Sequence, residues 1–377
     1  MPDQRTEALP NASHRCRRAV LFALALLLGN GCALRGGTPL LRMTWPEPPL
    51  PARIEFVSAV ASERDVTRGF DLSRLLSVGL IGLERKVWHL YQPVGVAVSD
   101  DGERAYVADY SQALLYVFDF AHGSVRVVGE EGGFGRPIGL AVDGDGQIYV
   151  SDQKTKAVQV LSVDGTPVRT LHLDHIERPE GIAIDRARGR LYVADAGGLQ
   201  SSEHYVRIYD LEGRHVGNIG QGRGGGPGEL YFPTYVALDA AGQLYVSDTM
   251  NSRVAVFDAE GKFVRQVGKQ GDSFGEFDKP KGLALDTFGN LYVADSSWSI
   301  VQIFNPRGEV LLFFGGRSRY PGMFENPTGI AIDRQNRIYV CDTFNHRLSM
   351  YRLVNTTAGD SFVTLPLADE KGGGPGA

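Results

Sequence analysis

The chain has 377 residues, 43% of them hydrophobic and 22% charged, with a formal net charge of −5. That length admits one large repeat domain or two ordinary ones. The first 31 residues carry four Arg against Asp3 and Glu7, which leaves about −7 on the remainder and excludes the basic footprint that general nucleic-acid binding requires.

Residues 1–31 read as an export signal. Arg15, Arg17 and Arg18 precede an apolar run at 19–28, and Gly29, Asn30 and Gly31 lead into Cys32. An apolar run of about ten residues is too short to cross a bilayer as a helix. Small residues running into a Cys resemble a bacterial lipoprotein signal, with Cys32 as the lipidated first residue, although Gly29 stands where such signals usually carry Leu. The resemblance implies a cell-envelope protein held to a membrane through a lipid on Cys32. Cleavage near Gly31, giving a soluble periplasmic or secreted protein, is the alternative. Residues 32–52, with Pro39, Pro46, Pro48, Pro49 and Pro51, read as a tether. If Cys16 leaves with the signal and Cys32 carries lipid, Cys341 remains alone. No intramolecular disulfide is then expected, and Cys341 reads as a small core residue.

Residues 53–60 form an isolated strand pattern, and residues 71–76 read as a short helix capped by Asp71. From Pro93 onward one phrase returns six times: Pro, a short apolar strand, a turn, then Tyr-Val-x-Asp. The copies begin at Pro93, Pro137, Pro179, Pro233, Pro280 and Pro327 and end at Asp109, Asp152, Asp195, Asp248, Asp295 and Asp342. Spacings of 42 to 54 residues, filled with strand and turn patterns, predict an all-β six-bladed β-propeller with four-stranded blades. Residues 280–286 (Pro-Lys-Gly-Leu-Ala-Leu-Asp), 291–295 (Leu-Tyr-Val-Ala-Asp) and 343–347 (Thr-Phe-Asn-His-Arg) resemble the NHL repeat. Repeat one departs with Ser99 in place of the turn Asp, and repeats one, two and five lack the Asn-x-Arg element.

The sixth repeat has three strands and no signal for a fourth. Residues 53–60 are expected to supply it and close the ring, removing an open edge; residues 361–365 are the rival. The propeller is placed at 53–357, and residues 358–377 read as a disordered tail.

The repeated features themselves read as scaffold. The six Asp end second strands, away from the channel, where each is expected to cap the next turn. The Gly-rich stretches 132–135 and 222–228 lack the Gly-Lys-Ser/Thr ending of a phosphate loop and read as linkers between blades. An NHL-like amidating lyase holds zinc in its channel with several His, and zinc needs about three converging protein ligands. Here the positions after the repeat Pro hold Val94, Ile138, Glu180, Thr234, Lys281 and Thr328, none of them His, and the remaining His share no register. No catalytic residue, metal or cofactor is predicted. Glu180 is the one ring residue suited to a lactonase-like metal site, and a Glu180–Lys281 contact is the structural use of both.

Departures from the repeat gather on the face that carries the linkers and the turns after Tyr-Val-x-Asp. The candidate binding residues there are Glu180, Lys281, His204, Tyr205, Tyr231, Trp298, Tyr320 and Phe344. The expected function is a non-catalytic envelope scaffold that recognises a protein or small ligand, with a metal-dependent lyase or lactonase as the alternative.

Overall fold

Each repeat folds outward from the channel. In the fourth, Pro233–Leu238 is innermost, followed by Leu244–Asp248, Arg253–Phe257 and Phe263–Val267, all antiparallel. The computed structural model describes residues 43–66, 87–130 and 132–356. Within them the predicted six-bladed propeller is formed: five sheets have four strands and the sixth has five. Neighbouring innermost strands touch around the ring, and the sixth, Pro327–Ile332, returns to the first, Pro93–Val98.

The N-terminal strand closes the ring. Ile54–Val60 pairs antiparallel with Arg347–Leu353, Ile54 opposite Leu353 and Val60 opposite Leu348, and so completes blade six. Inside the segment read as tether, Thr44–Trp45 adds a fifth strand against it. Trp45 explains why: its ring lies 5.9 Å from those of Phe314 and Tyr351, covering apolar surface at the join between blades five and six. A segment rich in Pro hid a strand only two residues long. The helix expected at 71–76, the rival strand at 361–365, the signal and Cys32 lie outside the described residues.

Close packing of the inner strands accounts for the repeated Pro-x-Gly. A Cβ on Gly95 would sit 1.8 Å from the Ile138 carbonyl oxygen, and one on Gly282 would sit 2.2 Å from that of Thr328. No real side chain fits there, so neighbouring blades depend on the missing atom. The linkers add an apolar plug at several joins. Leu230, Phe277 and Phe324 are fully buried, which confirms the Gly-rich stretch at 222–228 as a linker between blades. Cys341 is fully buried as expected, and burial pushes its thiol well above the ordinary range.

The tyrosine of each Tyr-Val-x-Asp is buried as well. Tyr106, Tyr149, Tyr192, Tyr245, Tyr292 and Tyr339 stand between blades, and Tyr339 donates to Asp333 of its own hairpin turn at 3.1 Å. Where repeat one has Ser99, the turn is kept by Ser99 Oγ, which donates to Asp101 at 2.6 Å and accepts the Arg104 N–H at 3.0 Å.

Burial raises all six phenol pKa values, that of Tyr106 to about 12. The unfolded chain releases these protons near pH 10, so their contribution is intact below pH 10 and is lost as pH rises toward 12. The urea midpoint is therefore expected to hold up to about pH 9.5 and to fall steeply above pH 10. A midpoint unchanged at pH 11.5 would contradict this.

Candidate functional site

The linker face is held by the six aspartates. All six side chains are completely buried. Asp248 shows the full pattern: it accepts the Tyr231 N–H at 2.6 Å, Asn251 Nδ2 at 2.7 Å and Arg253 Nε at 2.8 Å. Asp342 repeats it with the Glu325 N–H, Asn345 and Arg347. Asp109, Asp152 and Asp295 take backbone N–H groups on both sides, for example Arg136 and Thr155 at Asp152. The expected backbone turn caps are present at Asp109, Asp152, Asp195 and Asp295, whereas Asp248 and Asp342 hold the next turn through the Asn251 and Asn345 side chains, and each carboxylate also grips the linker that enters its own blade. Burial raises the pKa of Asp248, Asp295 and Asp342, opposed in each case by these hydrogen bonds.

Three blades reinforce the carboxylate with a buried arginine. Arg253 spends its remaining donors on the carbonyls of Gly225, Gly226 and Glu229 and on Gln266 Oε1, at 2.9 to 3.1 Å. Repeat three also proves to lack Asn-x-Arg, with Tyr205 two residues before its arginine, yet Arg207 occupies the same place, 3.0 Å from Asp195 and 4.9 Å from the Tyr205 ring centre. An insertion had displaced it from its usual spacing.

Held this way, the face surrounds a cavity of about 370 Å³ at the channel mouth. All six positions after the repeat Pro line it: Val94, Ile138, Glu180, Thr234, Lys281 and Thr328. Tyr235, which replaces the repeat glycine, lines it too. Its hydroxyl reaches across the ring from blade four and donates to the Val94 carbonyl of blade one at 2.7 Å. Burial holds that phenol far above its ordinary pKa.

Glu180 and Lys281 therefore do meet in one cavity, but not as an ion pair within 4.0 Å. Glu180 instead accepts Arg178 Nε at 2.9 Å and Gln153 Nε2 at 3.0 Å. Burial raises the Glu180 pKa, opposed by Arg178 and Lys281; burial lowers that of Lys281, opposed by Glu180. Arg178, Gln153, Lys279, Phe232 and Met250 also line the mouth. Sequence reasoning missed them because ring geometry, not spacing, brings them together. Among the described residues, no three His, Cys, Asp or Glu side chains converge to hold a metal ion.

The remaining candidates divide. Trp298, Tyr320 and Phe344 are exposed, as a contact surface requires. Tyr231 is half-buried under Arg223, 4.8 Å from its ring centre. His204 does not belong to the surface: it is completely buried, its Nδ1 accepts the Phe232 N–H at 2.9 Å, and its ring packs on Tyr231 and Phe232. It braces the linker beside the mouth, a role hidden in an insertion that matches no other repeat.

Removal of one partner from a buried ion pair costs about 3–5 kcal/mol, whereas an exposed pair contributes about 0–1 kcal/mol. Arg253→Met is therefore expected to lower unfolding free energy in urea by about 3–5 kcal/mol, with Arg214→Met, in the exposed pair that Arg214 makes with Asp210, nearly neutral. Equal effects of the two substitutions would contradict the role assigned to Arg253.

Three family models match parts of the chain: a six-bladed β-propeller at 236–296, an SMP-30/gluconolactonase/LRE-like region at 71–196 and the NHL repeat at 324–351. The chain is 30% identical over 141 residues to NHL-repeat-containing protein 4 of Mus musculus, covering 37% of this chain and 92% of that one. It is 34% identical over 102 residues to the RING finger protein nhl-1 of Caenorhabditis elegans, spanning 27% of this chain but 9% of that much longer protein. Virginiamycin B lyase from Staphylococcus aureus shares the fold at 12% identity, with a TM-score of 0.51 over 70% of this chain and 95% of the lyase. With repeat, blade architecture and a relative matched over nearly its whole length in agreement, the chain belongs to the NHL-repeat family of β-propellers.

Proposed function

We propose that this propeller is a non-catalytic recognition module of the cell envelope, exported and anchored by a lipid on Cys32, that takes its ligand on the linker face at the channel mouth. The observation that carries the reading is the coincidence of irregularity with concavity. Glu180, Tyr235 and Lys281 break the repeat, and all three line the same cavity of about 370 Å³. A rigid scaffold presenting irregular residues in a concave site is the usual arrangement for ligand recognition. Exposed Trp298, Tyr320 and Phe344 widen that surface for a protein partner.

A metal-dependent lyase or lactonase at the same mouth is the competing reading, favoured by the lactonase-like match at 71–196. The charge of the mouth argues against it. Arg178, Lys279 and Lys281 share the lining with Glu180, its one carboxylate. Three cations repel a divalent ion that a single engaged carboxylate would have to hold.

The test joins location to recognition. The chain is expressed with its leader in a bacterium fed labelled palmitate, then recovered with whatever copurifies from the envelope. Label is expected on the wild type and absent from Cys32→Ser. The copurifying ligand is expected to be lost in Trp298→Ala at unchanged melting temperature. Labelling retained in Cys32→Ser would overturn the anchor. Stoichiometric divalent metal with metal-dependent lactone hydrolysis would overturn the binding reading.

A further inference from the structure

We infer that the channel mouth binds an anionic group, a carboxylate or a phosphate borne by a small ligand. This rests on the reading of the mouth as a ligand site and names what enters it. The chain is acidic overall, yet the mouth concentrates cations. Their existing partners leave one of them without a direct ion pair. Glu180 is engaged by Arg178 and Gln153, and Lys279 lies 3.6 Å from Asp278, outside the lining. Among the described residues Lys281 has no ion-pair partner within 4.0 Å, although it is half-buried at the cavity wall.

A half-buried ammonium has lost part of its hydration, and Glu180, the carboxylate that acts on it through space, is already hydrogen-bonded to Arg178 and Gln153 and makes no direct pair with it. An incoming oxyanion supplies one, as a charge-assisted hydrogen bond in a low-dielectric cleft. The positive surface also continues outward. A second cavity of about 590 Å³ shares Tyr110, Gln153 and Arg178 with the mouth and adds Arg136, Lys156 and Glu177. Arg136 lies over the Tyr110 ring, 5.6 Å from its centre, and neither Arg136 nor Lys156 has an ion-pair partner among the described residues. An approaching anion thus meets a cationic strip that leads to Lys281.

Shape limits the occupant. Tyr235 spans the ring to the Val94 carbonyl, and Val94, Ile138, Phe232 and Met250 give the walls apolar stretches. That suits one anionic group attached to a short apolar body. A nucleic-acid strand would run along the outer strip and leave the mouth unused.

Calorimetric titration of the full chain at low ionic strength separates these cases, with butyrate, butyl phosphate, butanol and poly(U) as probes. Butyrate or butyl phosphate is expected to bind and butanol not, the tighter of the two identifying carboxylate or phosphate as the ligand chemistry. Binding should weaken with salt. Lys281→Met should weaken it about tenfold or more. Glu180→Gln, which removes the competing charge while keeping an oxygen for Arg178 and Gln153, should strengthen it. Met250→Trp, at an exposed position of the lining, should block it. Equal binding of butanol and butyrate, both blocked by Met250→Trp, would overturn the anion and leave the mouth as a site. Binding indifferent to Lys281→Met and Met250→Trp, or no binding of any probe, would overturn both. Poly(U) binding that is lost in Arg136→Met and unaffected by Lys281→Met would assign the strip to a polyanion and overturn the proposal.

Discussion

A carboxylate buried at the end of each second strand ties together parts of the chain that sequence keeps well apart. Asp248 joins Tyr231 to Arg253, and Asp342 joins Glu325 to Arg347. An isolated carboxylate in that position would be expelled or protonated, because burial penalises its charge. Two or more N–H donors aimed at each oxygen pair make it tolerable, and those donors come from the linker and the following turn. The linker face is therefore fixed by buried hydrogen bonds, although it consists of loops. Blades three, four and six carry the further buried Arg, and in blades four and six it also binds carbonyls of the linker, at Gly225, Gly226 and Glu229 for Arg253 and at Arg319, Tyr320 and Met323 for Arg347.

The ring adds a second constraint from the inside. Inner strands approach so closely that a Cβ at Gly95 or Gly282 has no room. Repeat four places Tyr235 at the matching position, and that side chain crosses the channel to the opposite blade. One substitution thus puts a side chain across the channel. The N-terminal strand 54–60 closes the ring, because it joins the two ends of the repeat array within one sheet.

Local physics was legible in the sequence and ring geometry was not. Strand and turn alternation revealed the blades, and the missing turn after Leu353 exposed the need for residues 54–60. The aspartates were readable as turn caps because Asp248 and Asn251 lie within one turn. Their grip on the linker was hidden, since Tyr231 is 17 residues upstream of Asp248. Glu180 and Lys281 stood out as breaks in a pattern, but their true partners depend on which blades are neighbours. Arg178 sits two residues from Glu180 and was passed over because the pattern predicts nothing for it. His204 carried the opposite error: an exposed-looking insertion turned out to fold inward and brace Phe232.

The scaffold and the site follow from the same rule. Where the repeat is kept, its residues are consumed by hydrogen bonds and close packing; where it fails, side chains remain to face a ligand. Lys281 is the clearest remainder, a half-buried cation at the mouth without an ion-pair partner among the described residues. The most direct measurement is a crystal structure of the full chain soaked in selenate and mapped by anomalous scattering. The account predicts a selenate in the mouth within hydrogen-bonding distance of Lys281 Nζ. Selenate confined to the outer hairpins, with the mouth empty, would contradict it.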